Sequence, residues 1–211
     1  MKRYFVTGTD TDCGKTYVTQ QLINHYEHSL ALKPIASGCQ RIGSQLVSSD
    51  AQLLMHHPQV SLEQINPWRY ALPVSPHIAA EHEKQEINLT EVLQYCLEFE
   101  LNGLDRLFIE GAGGLFVPLN KQSTWLDFLV MSQIPVVFVV GMKLGCINHA
   151  ALSLLALQVH GIECVGWIAN CIDPNMLALE ENISTLKSML QPPLLAIIPY
   201  GQTIQIKTHQ L

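Results

Sequence analysis

The stretch "VTGTDTDCGKT", residues 6–16, decides the fold. It closes an apolar run and ends on Gly-Lys-Thr, the close of the phosphate-binding pattern G-x-x-x-x-G-K-[ST]. Five residues lie between Gly8 and Gly14 where the pattern has four, so Thr9 stands in the place of the usual first glycine. The physics survives the shift. Gly14 lets the backbone approach phosphates, and successive N–H groups and the helix start behind them attract an anion. Lys15 reaches for the terminal phosphates, and Thr16 offers its hydroxyl to Mg2+. The alternative is a capped helix start that binds nothing, against which the strand–loop–helix context argues. Two acids, Asp10 and Asp12, stand among the phosphate-binding positions, so the loop is expected to hold something besides phosphate.

Outward from the loop, apolar runs alternate with helical spacing. Strands are expected at 3–7, 30–34, 104–110, 134–140, 164–169 and 194–198. Helices are expected at 15–28, 49–57, 89–102, 124–132, 147–160 (closed by Gly161) and 176–191. The run 134–140 is almost wholly apolar and β-branched, as suits a strand buried on both faces. Strand–helix alternation of this kind predicts an α/β fold, a P-loop NTPase-like, mostly parallel sheet with helices on both faces. No linker, repeat or low-complexity segment interrupts it, so a single domain over 1–211 is expected. Residues 67–76, with Pro67, Pro73 and Pro76, read as an irregular loop inside it. Met131, Met142, Trp125 and Trp167 read as core or lid packing.

Composition narrows the class. Of the 211 residues 48% are hydrophobic and 14% charged, which is globular rather than disordered. The net charge of −6 and the lack of a basic run argue against a nucleic-acid partner. The longest apolar runs are too short or too interrupted to span a bilayer, and no targeting segment is read at the start. Cys13, Cys39, Cys96, Cys146, Cys164 and Cys171 form no C-x-x-C pair, so reduced thiols in a cytoplasmic protein are expected rather than zinc or disulfides.

The remaining chemistry falls at strand ends, where α/β sheets bind ligands. Glu110 ends one strand and begins "EGAGG", so it reads as a carboxylate facing a ligand, or as a turn acid. Asp50, in "SSDA", is a metal ligand or an N-cap. Lys33, in "LKPIASG", is a second cation for a substrate that gains negative charge, or a surface lysine. In "MKLGCINHA", residues 142–150, the N–H groups near Gly145 and Cys146 could bind a carboxylate. Asn148 there could equally be an N-cap, and His149 a packed or exposed histidine.

Taken in order, "FVTGTDTDCGKT", "KPIASG", "SSDA", "SPHIAA", "EGAGGLFVPL", "VVFVVGMKLGCINHA" and "GWIAN" resemble the dethiobiotin synthetase family over about residues 3–201. The resemblance implies that ATP, CO2 and 7,8-diaminopelargonate give dethiobiotin, ADP and phosphate. It implies that Lys15, Lys33, Thr11 and Asp12 act in catalysis, the last two as acceptors for the amines. Thr16, Asp50 and Glu110 would surround Mg2+, and Ser37 would contact the forming carbamate. The nucleotide would be lined by Asp12, Cys13, Gly14, Lys15, Thr16 and Tyr17, by Asp50 and Glu110, and by Gly111, Ala112 and Gly113. Asn170 and Cys171 would face the adenine, bordered by Pro199, Tyr200 and Gly201. The family also implies a homodimer in which Gly145, Cys146 and Asn148 of one subunit meet the substrate carboxylate in the other's site.

Three features depart from the family pattern. Asp12 stands where relatives often carry Glu, Cys13 is an oxidisable residue inside the loop, and the tail after Gly201 matches poorly. Partitioning ATPases carry an extra lysine where this chain has Asp10, and 211 residues leave no room for the glutaminase domain of cobyrinic acid amidating enzymes. A non-catalytic ATP-binding regulator is the rival from another class.

Overall fold

A computed structural model of the chain describes residues 1–203 and 211. The chain runs β1 (Lys2–Gly8), α1 (Lys15–His25), β2 (Ser29–Leu32), β3 (Ile35–Ala36), β4 (Gln40–Ile42), β5 (Gln45–Val47), α2 (Ser49–Leu54), α3 (Leu62–Ile65) and β6 (Trp68–Arg69). It continues with α4 (Pro76–His82), α5 (Leu89–Glu98), β7 (Arg106–Glu110), α6 (Trp125–Ser132), β8 (Val136–Gly141), α7 (Cys146–Val159), β9 (Cys164–Asn170), α8 (Leu179–Met189) and β10 (Leu194–Ile198).

Six strands form one parallel sheet in the order β10-β9-β8-β1-β7-β2. The step from β1 through α1 to β2 runs toward one edge. The steps through α6, α7 and α8 run toward the other. Right-handed crossovers then put α1 on one face and these helices on the opposite one. The reversal leaves a crevice at the carboxyl ends of β1, β7 and β8, where Gly8, Glu110 and Gly141 lie. Register fixes these ends closely, with Val6 opposite Glu110 and Gly8 opposite Val139.

The wholly apolar β8 is buried at every position, as its sequence requires. Phe5 of β1 packs on Trp125 and Phe128 of α6, with ring centroids 5.2 and 5.4 Å apart. Trp125, Trp167 and Met142 are core residues, whereas Met131 is 53% exposed and lies outside the core.

Most differences from the expected elements lie at helix ends. The first helix stops at His25 rather than at residue 28, because Tyr26 turns extended and His28 takes a positive φ of 55°. The second stops at Leu54, four residues before Pro58, which disfavours helix ahead of itself. The fifth ends at Glu98, where Phe99 turns extended, and the eighth starts only at Leu179, after Ala178 in the left-handed region. The expected loop at 67–76 holds β6 and the first residue of α4. Beta-3 pairs with β6, and β4 with β5, as two small sheets that the sequence reading did not separate. Of the poorly matching tail, residues 204–210 lie outside the described residues.

Candidate active site

The phosphate loop is braced from below. Gly14 caps α1 with φ 82°, a conformation that L side chains rarely adopt. A Cβ at Gly14 would lie 2.1 Å from Asn170 Nδ2, the same nitrogen that donates to the Cys13 carbonyl at 2.9 Å. Cys13 is fully buried under the loop, against Gly8 and Gly141, where added Cβ atoms would meet it at 2.3 and 2.8 Å. Its thiol is therefore shielded, contrary to the reading of an oxidisable loop residue. Lys15 curls back over the loop, and its Nζ donates to the carbonyls of Asp10 (2.7 Å) and Thr11 (3.1 Å). Burial pushes its ammonium below the ordinary lysine range. The Cys13 sulfur opposes the shift, and the charge of Lys33 adds to it.

Beside the loop lies a charge cluster. Lys33 Nζ donates to Glu110 Oε1 at 2.5 Å and pairs with Asp50 Oδ2 at 3.0 Å. Burial pulls the Lys33 ammonium down, but Glu110 and Asp50 together outweigh it and hold the group above its usual range. The Thr16 hydroxyl donates to the same Glu110 oxygen at 2.6 Å. The other oxygen, Glu110 Oε2, is buried with no hydrogen-bond partner. An unsatisfied carboxylate oxygen beside a hydroxyl and a second carboxylate is a hard, all-oxygen donor set suited to Mg2+. Among the described residues no group of three or more His, Cys, Asp or Glu forms a metal cage. Magnesium bound through phosphates needs only one or two carboxylates.

The alternatives left open by the sequence resolve here. Ser48, not Asp50, caps α2, accepting from the Ala51 N–H at 3.3 Å, so Asp50 is free to face Lys33. Lys33 is buried, not a surface lysine. Gly145, not Asn148, caps α7, and Asn148 and His149 are exposed.

One cavity of about 710 Å³ gathers Thr11, Asp12, Gly14, Lys15, Thr16, Lys33, Ser37, Asp50, Glu110, Ala112 and Gly113. Its lining leaves out several expected residues, for local reasons. Cys13 and Asn170 support the loop from beneath. Gly111 packs behind it, where a Cβ would lie 2.8 Å from the Phe5 ring. Tyr17 reaches the C-terminal segment, donating to the Gln202 carbonyl at 2.5 Å. Cys171 is buried and donates its N–H to Ile198 at 2.9 Å, just before the exposed Pro199, Tyr200 and Gly201. Gly145, Cys146 and Asn148 stand outside the cavity, at the start of α7. That helix carries an exposed apolar stripe beginning just before it: Leu144 (97% exposed), Leu152 (57%), Leu155 (55%) and Val159 (71%).

Three supporting contacts escaped the sequence reading, which took Trp125 for core or lid packing alone. Asn66, fully buried, donates to the Lys33 carbonyl at 2.6 Å and so fixes the backbone of the catalytic candidate. Trp125 Nε1 donates to the Ala112 carbonyl at 3.1 Å and pins the "EGAGG" turn to the core. Lys143 pairs with Asp10 at 2.8 Å. Nothing in a single sequence signals these long-range partners.

A parallel sheet whose central strand leads through a loop into a helix opened by Gly-Lys-Thr, with a carboxylate at the end of the neighbouring strand, defines a P-loop nucleotide-binding protein. A solved ParA family ATPase from Chlorobium tepidum shares this fold, with a TM-score of 0.53 and 16% identity over 94% of this chain and 84% of that one. A family model described as "AAA domain" matches residues 2–208. The ATP-dependent dethiobiotin synthetase BioD of Legionella pneumophila (strain Paris) is 59% identical over 97% of this chain and 96% of the relative. The enzyme of the same name from Pseudoalteromonas translucida is 42% identical over 96% and 92%. The chain belongs to the ATP-dependent dethiobiotin synthetase family.

Proposed function

We propose that this chain carboxylates 7,8-diaminopelargonate with CO2 and closes the ring to dethiobiotin, converting ATP to ADP and phosphate. The observation that carries the reading is the convergence of two lysines, two metal-type carboxylates and the amine acceptors Thr11 and Asp12 on one cavity, in a chain of this family.

The chemistry has three steps. A neutral amine attacks CO2, releases a proton and becomes a carbamate. A carbamate oxygen attacks the γ-phosphorus, and ADP leaves, giving a carbamic–phosphoric mixed anhydride. The second amine attacks the anhydride carbonyl, releases a proton and expels phosphate, leaving the cyclic urea. Thr11 and Asp12 hold the amines in reach, and Ser37 contacts the carbamate. Each step concentrates negative charge in one place, which Lys15 and Lys33 stabilise and which positioning exploits. Thr16, Asp50 and Glu110 would hold Mg2+, which supplies charge neutralisation on the phosphates when bound. Glu110–Gly113, Cys13, Gly14 and Tyr17 border the nucleotide. Asn170, Cys171 and Pro199–Gly201 lie toward the base.

The working unit is a homodimer of single-domain chains in the cytoplasm. The exposed stripe on α7 supports it, since an apolar patch of that kind marks a contact surface. Gly145, Cys146 and Asn148 then serve the substrate carboxylate of the partner's site. Six unpaired cysteines agree with a reducing compartment. No helix among the described residues is long and apolar enough to cross a membrane.

The test is turnover of purified protein with Mg-ATP, bicarbonate and the diamine, read by mass spectrometry with each component omitted in turn. Dethiobiotin that requires all components is expected. ATP binding without product would point to the regulator instead.

A further inference from the structure

Lys143 has no role in the reaction described above, yet it occupies a junction. Its Nζ donates to Asp10 Oδ2 at 2.8 Å, while Asp10 Oδ1 accepts the Thr11 N–H at 2.7 Å. The Asp10 carbonyl also accepts from Lys15. Asp10 is thus held by the phosphate-binding lysine, by the backbone of an amine acceptor, and by the segment that leads into α7. The Lys143 carbonyl in turn accepts the Cys146 N–H at 3.0 Å, at the first residue of that helix. A second tie runs alongside, from the Gly141 N–H to Thr9 Oγ1 at 3.2 Å. The contact with Lys143 comes first among the influences that hold the Asp10 carboxyl below its ordinary value, and the Thr11 N–H follows. His149 adds a smaller favourable charge from the first turns of α7.

We propose that Lys143 is a positioning residue: through Asp10 it fixes Thr11 and Asp12 against the start of α7, so that the amine end of this chain's site and the carboxylate end it lends to the partner's site are held in register. The inference rests on the proposed diamine chemistry, in which Thr11 and Asp12 serve the amine end in the chain's own site and Gly145–Cys146 the carboxylate end in the partner's. Lys143 touches no reacting atom in this account, so its effect falls on diamine binding rather than on the chemical step.

Steady-state kinetics on Lys143→Met, Asp10→Asn, the double variant and Lys143→Arg test it, together with hydrogen exchange of residues 9–14. Each single variant should raise KM for the diamine about three- to fivefold, the scale of a half-exposed ion pair. The kcat and the KM for ATP should stay within about twofold. The double variant should be no worse than either single one, as for two halves of one contact. Arginine should restore wild-type values, and exchange in the loop should quicken in both single variants. An unchanged diamine KM, a loss confined to kcat or to ATP, or effects that multiply in the double variant would each overturn the proposal. Asp10→Asn, near-isosteric and part-exposed, carries the test if Lys143→Met does not fold. If wild-type protein makes no dethiobiotin, the functional reading fails separately, and the exchange comparison still decides whether the tie orders the loop.

Discussion

Removing Lys33 strands a buried carboxylate. Glu110 is fully buried and, among the described residues, takes its ion pair from Lys33 alone, with Thr16 donating a neutral hydrogen bond to the same oxygen. Lys33→Ala should therefore lower kcat about 100- to 1,000-fold, as for loss of a preorganised charge stabiliser. It should also destabilise the protein by about 3 kcal/mol, because breaking a buried pair leaves one charge uncompensated. Added Mg2+ should raise the thermal midpoint of this variant more than that of the wild type. Equal midpoint shifts would mean that Glu110 and Asp50 do not hold the cation. Lys15 makes a different prediction. Burial holds its pKa below the ordinary range in the free protein, and bound phosphate, which favours the ammonium, would raise it again. Nucleotide affinity is then full at lower pH and is lost as pH rises through the free-protein pKa, which lies below an ordinary lysine's value of about 10.4. Titration of ATP binding against pH should place the loss there, and Lys15→Arg, which stays charged, should flatten the alkaline limb if it still binds. The identities of Lys15, Thr16, Lys33 and Glu110 were legible because each sits in a spaced motif, either at a strand end or at the start of the helix that follows. The pairing of Lys33 with Glu110 was not, because a separation of 77 residues closes only through the β2–β7 register.

At the scale of elements, the main strands and their parallel sheet followed from alternation and apolar runs, while the order of strands in the sheet, the short elements and the helix ends did not. Helix α3, four residues long, and the two-residue strands β3 and β6 exist through tertiary contacts rather than periodicity. The Lys33 N–H bonds to the Ile65 carbonyl at 2.9 Å, for example, which ties α3 to the chain beyond β2. The lengthened phosphate loop is likewise a tertiary solution. It closes over Cys13 only because Gly8 and Gly141 leave room and Asn170 bonds its backbone. Gly14→Ala combines a positive φ with a clash into Asn170, so it should abolish measurable nucleotide binding. Asn170→Ala removes one buried hydrogen bond and should cost about 1–2 kcal/mol of stability while weakening ATP binding. Isothermal titration and denaturant unfolding of both variants check this. If Asn170→Ala leaves ATP binding at the wild-type level, the amide is not what holds the loop in place.

For the whole molecule, the separation of Gly145, Cys146 and Asn148 from the cavity and the apolar stripe on the same helix point the same way. Composition could not reveal this, since scattered exposed leucines are common and only the fold aligns them. If each site combines one protomer's phosphate loop with its partner's α7, two inactive variants should complement each other. Mixed and re-paired, Lys33→Ala and a variant disabled at Asn148 should recover about a quarter of wild-type activity, because half the dimers are hybrids with one intact site. Absence of recovery in verified hybrids would place both ends of the substrate on one chain. The uncovered leucines of α7 have a consequence for physiology as well. If the site is complete only when chains pair, then below the concentration at which they do so output rises with the square of their abundance, and about a twofold change in expression becomes about a fourfold change in product. A cell that dilutes this chain by growth would thus lose its activity faster than it loses the protein.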